Sequence, residues 1–180
     1  EPPNRGGRPR IHQAGGRAIH GPVLTSFGEA DEGTVTALQA CLDGAPRSWA
    51  LEGDAPSFEG PIIGGNLEVL TRLIGTPLAP RYAGSVVVLE DVGEPWYRCD
   101  RALTHLFSAT DLGEAQAIIF GDFHSCDAPT VERLKARVLS LGIPCLEGAP
   151  VGHGPTNHAF VWGERAHYDG AHLVLSGQSS

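Results

Sequence analysis

No uninterrupted apolar run in the chain exceeds four residues, and Val86, Val87, Val88 and Leu89 make one such run. A short run this rich in β-branched residues predicts a strand covered on both faces. It closes on Glu90. Residues 115–120 predict a second buried strand, ended by Gly121, and residues 143–146 a third. Helical spacing fills the gaps. Pro95 suits a first helical turn, and the helix it opens runs to about residue 109 with Cys99, Leu103, Leu106 and Phe107 as its buried stripe. Pro129 opens another, carrying Val131, Leu134, Val138 and Leu141. Upstream, residues 34–42 place Val35, Leu38 and Leu42 on one helical face after an acidic turn. Gly64-Gly65-Asn66 opens a helix over residues 67–74 with Leu67, Leu70 and Ile74 on one side, stopped before Gly75 and Pro77. Residues 17–24 read as a short extended piece and residues 49–60 as a turn-rich strand region. Strand, helix, strand, helix, strand implies right-handed crossovers and a parallel core. Residues 157–175 alternate around Asp169-Gly170, a hairpin signal. The predicted fold class is therefore α/β: a small parallel-core sheet, flanking helices and a terminal antiparallel hairpin.

Composition narrows the picture. At 180 residues and 41% hydrophobic, the chain can build one domain with a real core. Its apolar runs are far short of a membrane span, and no basic-then-apolar leader opens it. It contains no Met, so residue 1 is not expected to be the initiator. The net charge of −8 is uneven: Arg5, Arg8, Arg10 and Arg17 against Glu1 give residues 1–17 a charge of +3, leaving −11 for the rest. So acidic a body argues against nucleic-acid binding. Residues 1–13 show neither helical nor strand period and are expected to be a disordered or non-native leader. Cys41, Cys99, Cys126 and Cys145 form no CxxC pair, which excludes zinc-ribbon and thioredoxin motifs. Free thiols in a reducing compartment are expected, with Cys99 and Cys145 as small buried residues.

Candidate chemistry lies where parallel strands end, because ligands bind at that edge. An acid left there is costly unless something uses its charge. Glu90 is such an acid; its plainer role is to cap the helix that follows. His153 stands between Gly152 and Gly154, which let the backbone turn tightly around one polar side chain; its plainer reading is a surface loop histidine. Together they would be two thirds of a hydrolase triad, with the carboxylate fixing the imidazole and the imidazole taking a hydroxyl proton. His124, Cys126 and Asp127 are a weaker zinc candidate, since their spacing matches no signature and Asp127 before Pro129 suits a helix cap. Gly64-Gly65-Asn66 would either cradle an anion or form a tight strand-to-helix turn. His158, His167 and His172 are assigned to solvated faces of the terminal hairpin. Glu94 and Asp100 are assigned to helix capping and ion pairing.

Residues 63–77, from Ile63-Gly64-Gly65-Asn66 to Gly75-Thr76-Pro77, resemble the middle of the LD-carboxypeptidases, serine peptidases that include the microcin C self-immunity proteins. Residues 87–101, 117–121 and 150–153 resemble three further blocks of that family in the same order, and Ile19-His20-Gly21-Pro22 resembles the segment where its two domains join. The resemblance spans roughly residues 14–175. It implies a Ser-Glu-His triad in which the glutamate is Glu90 and the histidine His153. The family's serine sits in a strained Gly-x-Ser-Asp elbow upstream. The corresponding start here, Glu1-Pro2-Pro3-Asn4, has no serine. Arg5-Gly6-Gly7 is out of place for the family's Arg-Gly-Gly motif. Ser26 and Ser125 lie in no Gly-x-Ser turn.

The resemblance therefore implies that residues 14–180 are the C-terminal domain of the family, without the N-terminal nucleophile domain that supplies the serine and oxyanion donors. The implied activity is release of the terminal D-alanine from murein tetrapeptides, with no metal or cofactor, in a cytoplasmic bacterial enzyme that is usually a homodimer. This chain alone is expected to be inactive. Two alternatives are a microcin-type peptide-nucleotide hydrolase, with Trp96 and Trp162 as possible nucleobase clamps, and a non-enzymatic binder of peptidoglycan fragments. Neither nucleic acid nor membrane is expected as a partner.

Overall fold

The computed structural model describes residues 17–25 and 27–177. The expected leader and Ser26 lie outside the described residues. In chain order the elements are β1 (Ile19–His20), α1 (Glu32–Leu42), β2 (Arg47–Ala50), β3 (Phe58–Asn66), α2 (Leu67–Arg72), β4 (Val86–Val92), α3 (Trp96–Ala109), β5 (Ala117–His124), α4 (Thr130–Ser140), β6 (Cys145–Glu147), β7 (Phe160–Val161), β8 (Arg165–Tyr168) and β9 (His172–Leu175). One mixed sheet runs β2-β9-β8-β3-β4-β5-β6, and β1 pairs with β7 beside it. β3, β4, β5 and β6 are parallel neighbours, joined through α2, α3 and α4. β8 and β9 form the expected antiparallel hairpin, which adds β3 on one side and β2 on the other.

The apolar runs sit where they cost water most. Val86, Val87, Val88, Leu89, Ile118, Ile119 and Phe120 are fully buried. Alternate residues face two cores. Val87, Leu89, Ile118 and Phe120 pack under α2, α3 and α4 with Leu70, Leu103, Leu106 and Leu134. Val86, Val88 and Ile119 pack against Trp49, Phe58, Phe160 and Tyr168. Each such side chain contributes roughly 1.5–3 kcal/mol on burial, so the two cores hold the strand ends as one rigid edge.

Three expectations change. β3 was read as turn-rich only to residue 60, yet it continues through both glycines to Asn66. Gly64-Gly65 is therefore strand, not a free anion cradle. β4 and β5 run on past Glu90 and Gly121, with a register shift between Leu89 and Asp91. On α1 the buried residues are Thr34 and Cys41, while Val35 and Leu42 are exposed. α1 packs on Ala159 and Val161 through Cys41 and Leu38, so its contact face keeps Leu38 of the expected stripe but not Val35 or Leu42.

Asp127 caps a helix, but not the expected one. Its Oδ2 accepts from the Trp96 backbone N–H at 3.0 Å, the start of α3, a helix whose own first residues offer no side-chain cap. Replacing it by alanine is expected to cost about 1 kcal/mol, read as a lowered thermal midpoint. Glu94 and Asp100 pair with Arg98 (3.3 Å) and Arg137 (2.5 Å) as ion pairs. The four cysteines are free, and burial pushes Cys99 and Cys145 up to about 12. Among the described residues no helix is long and apolar enough to cross a membrane.

Candidate active site

Glu90 stands on β4 in register with Asn66 of β3. On its other side β5 bulges: Leu89 pairs with Phe120, and the next pair is Asp91 with Phe123. The bulge re-aims the strand at this position. Gly121 lies in it, and a Cβ there would stand 2.3 Å from the Val151 carbonyl oxygen. Its absence lets the loop after β6 run alongside β5, where Asp122 N donates to Val151 O at 2.7 Å and Ala149 N to Phe120 O at 3.3 Å. The loop then delivers His153. Gly152 is needed for space: a Cβ there would lie 2.7 Å from Asp122 Cβ and 3.0 Å from the Asp122 carbonyl oxygen.

His153 Nδ1 and Glu90 Oε2 are 2.7 Å apart. Glu90 is fully buried, whereas the His153 side chain is 44% exposed. Burial holds the Glu90 carboxyl above the usual range, and the charge and hydrogen bond of His153 oppose that shift. One proton lies between the pair, and Nδ1 is thereby committed, leaving Nε2 as the ring nitrogen free for a nucleophile. Glu90 is not a helix cap. The other carboxylate oxygen, Oε1, is buried with no hydrogen-bond partner among the described residues.

A cavity of about 510 Å³ opens over this pair, lined among others by His20, Gly65, Asn66, Leu70 and Trp162. Asn66 accepts from Val69 N at 2.9 Å, capping α2, and donates to Asp91 at 2.8 Å. Asp91 is buried, which raises its pKa against the hydrogen bonds it accepts from Val92 N and Asn66. Of the two tryptophans named as clamps, Trp162 lines the cavity. Trp96 lies elsewhere, under the Arg133 guanidinium at 4.4 Å. Among the described residues no serine lines the cavity. Ser125 is exposed in a turn of positive φ, 55°.

The weak zinc candidate does not assemble. His124 is 3.4 Å from Asp122, Asp127 caps α3, and among the described residues no group of three ligands converges. His167 and His172 are exposed on the hairpin, but His158 lies before it, half-buried, where burial lowers its pKa.

His20 was noted only as part of a domain-junction segment. Its ring tilts against Phe160 at a centroid distance of 5.1 Å and packs over Gly65. Burial, then the neighbouring His153 charge, lowers its pKa to about 4. The unfolded chain takes up this proton near pH 6.5 and the folded chain only near 4. Stability is thus lost as pH falls through that window, with a slope approaching 1.4 kcal/mol per pH unit. Urea midpoints at pH 7 and 4.5 are expected to differ less in His20→Phe than in the parent chain.

A murein tetrapeptide carboxypeptidase of Pseudomonas aeruginosa is 36% identical over 184 aligned positions, covering 91% of this chain and 59% of that protein. A putative carboxypeptidase of Synechocystis is 34% identical over 172, covering 88% and 56%. This chain thus spans under three fifths of the length of either. The crystal structure of a muramoyltetrapeptide carboxypeptidase from Oxalobacter formigenes superposes with a TM-score of 0.80 at 26% identity, over 94% of this chain and 65% of that one. The microcin C7 self immunity protein shares the fold, with a TM-score of 0.77 at 21% identity over 93% of this chain and 63% of its own. Residues 59–168 match the model of the LD-carboxypeptidase C-terminal domain, and the chain belongs to that family.

Proposed function

We propose that this chain is the acid–base half of a serine carboxypeptidase that removes the terminal D-alanine from murein tetrapeptides. The observation carrying this reading is the 2.7 Å contact between buried Glu90 and half-exposed His153 on the floor of a cavity. A serine from the family's nucleophile domain attacks the carbonyl carbon of the L,D-peptide bond. His153 Nε2 takes the serine proton and returns it to the departing D-alanine amine. Water then enters, gives a proton to the same nitrogen and attacks the acyl carbon, and His153 returns that proton to the departing serine oxygen, freeing the acid product. Glu90 holds Nδ1 throughout and stabilises the imidazolium. No metal or cofactor enters the scheme. We place this chemistry in a cytoplasmic homodimer, as the family resemblance implies.

The test is mass spectrometry of a murein tetrapeptide incubated with this chain, with and without a separately supplied nucleophile domain. D-alanine is expected only when both are present. Release in neither arm, with both parts folded and associated, overturns the proposal. Release by this chain alone would require a serine of its own. The alternative substrate, a peptide nucleotide, is favoured by one feature, Trp162 on the cavity wall. An aminoacyl sulfamoyl adenosine in the same assay decides between them: faster cleavage of it than of the tetrapeptide selects the alternative.

A further inference from the structure

A second cluster begins two residues beyond the histidine. The start of α1 and residues 155–157, more than a hundred positions apart in sequence, are joined by four hydrogen bonds. Asp31 N donates to Pro155 O at 3.1 Å. Thr34 Oγ1 donates to the same carbonyl at 3.1 Å and accepts from Asn157 N at 2.8 Å. Thr156 Oγ1 donates to Asp31 Oδ2. Asp31 Oδ1 meanwhile caps α1 by accepting from Thr34 N at 2.6 Å, so both carboxylate oxygens are committed. These hydrogen bonds hold Asp31 below its usual pKa, so its charge persists at neutral pH. A further bond closes the loop on itself: Asn157 Oδ1 accepts from Gly152 N at 3.3 Å.

His153 therefore hangs from a segment pinned on both sides. Gly152 is held through Asn157, and Pro155 through Asp31 and Thr34. Thr34 is the centre of the arrangement. It is fully buried, on a helix otherwise lightly buried, and its hydroxyl both donates to and accepts from the loop. A threonine at this position of a helix has no such need for its own stability. A loop with glycine on both sides of the functional histidine has little stiffness of its own, and proton transfer tolerates little misplacement.

We propose that Thr34, with Asp31, is a positioning residue for His153: the N-terminus of α1 clasps the 152–157 loop and sets the Nδ1–Glu90 contact. Thr34 lines the same cavity, but its hydrogen bonds go to Asp31, Pro155 and Asn157 and none to Glu90 or His153, so it positions the histidine through the loop. The inference rests on the Glu90–His153 reading given above.

The test uses this chain as it is, in water, by proton NMR. A histidine Nδ1 proton shared with a carboxylate at 2.7 Å gives a resonance far downfield of the amides. It is assigned to the pair by its loss in Glu90→Gln. Thr34→Val keeps the shape and removes both hydrogen bonds. In that variant the resonance is expected to lose at least half its intensity through faster exchange with water, and the Asn157 amide to exchange at least tenfold faster. Thr34→Ser is expected to restore both. Thermal midpoints check that the fold survives; if Thr34→Val does not fold, Thr156→Val, which removes only the bond to Asp31 Oδ2, takes its place with a smaller expected loss in the same direction. A resonance unchanged in Thr34→Val, while Asn157 exchange has accelerated, overturns the clasp and leaves the Glu90–His153 pair intact. Loss of the resonance that Thr34→Ser fails to restore also overturns it. A resonance that survives Glu90→Gln overturns the pair itself and the clasp with it.

Discussion

Glu90→Gln is expected to lower kcat for D-alanine release, in the reassembled enzyme, by about 10⁴-fold, as removal of the orienting carboxylate does in other serine triads. That is about 5.4 kcal/mol of transition-state stabilisation. The reasoning is local. Glutamine has the volume of glutamate and reaches His153 from the same place. Its amide, however, offers a donor as readily as an acceptor to Nδ1. An imidazole that accepts at Nδ1 carries its proton on Nε2, and that tautomer cannot take a proton from a serine. Even in the correct tautomer, the imidazolium formed on attack faces a neutral amide instead of a buried charge. Substrate contacts are left alone, so KM is expected to change little. Stability is expected to hold or rise, since burial already disfavours the charged form of Glu90 and glutamine brings no charge. The paired readouts decide the matter. A kcat loss under tenfold, with the thermal midpoint unchanged, removes Glu90 from the mechanism. A large kcat loss with a collapsed midpoint makes it a structural residue instead.

The parts of this fold that could be read from the sequence are those where one local rule acts alone. Val86 to Leu89 and Ile118 to Phe120 are buried on both faces and read as plain apolar runs. Asp169-Gly170 marks a hairpin, and its strands obey simple alternation, with Ala166, Tyr168, Leu173 and Leu175 turned inward. That Glu90 and His153 meet could be anticipated for a different reason: an acid closing an apolar run and a histidine between glycines each break the local pattern. The rest depends on partners distant in sequence. β3 contains Gly60, Pro61, Gly64 and Gly65, residues that read as turn, and only the neighbouring strands make it extended. Thr34 looks like an indifferent helix residue until Pro155 and Asn157 arrive from the other end of the chain. The contact face of α1 was misjudged because a satisfied hydroxyl can be buried while valine and leucine remain exposed. Asp127 precedes one helix and caps another, which no spacing rule reveals.

Gly64→Ala is expected to destabilise the domain by more than about 4 kcal/mol, a loss of the size that marks a direct backbone conflict. Gly64 pairs with Val88 in the parallel ladder between β3 and β4. A Cβ on it would stand 1.9 Å from the Val88 carbonyl oxygen and 2.7 Å from the Val88 nitrogen. Those atoms are backbone, and Val88 is fully buried, so nothing flexible can yield. The backbone of Gly64 also has φ +138°, a conformation that costs a side-chain-bearing residue roughly 1–3 kcal/mol by itself. Relief would require β3 to separate from β4 near the register position that pairs Asn66 with Glu90, so the site would be lost with the stability. Against a total of about 5–15 kcal/mol for a domain, the variant should be largely unfolded or recovered only as aggregate. Gly75→Ala is the control. It too has positive φ, +76°, but nothing lies within 4 Å of its added Cβ, so only the backbone penalty of about 1 kcal/mol applies. Urea unfolding measures both. With a slope near 2 kcal/mol per molar urea, the midpoint is expected to fall by about 2 M for Gly64→Ala and by about 0.5 M for Gly75→Ala. Equal midpoints would mean that β3 and β4 do not meet in this register, and the placement of Glu90 beside Asn66 would fall with it.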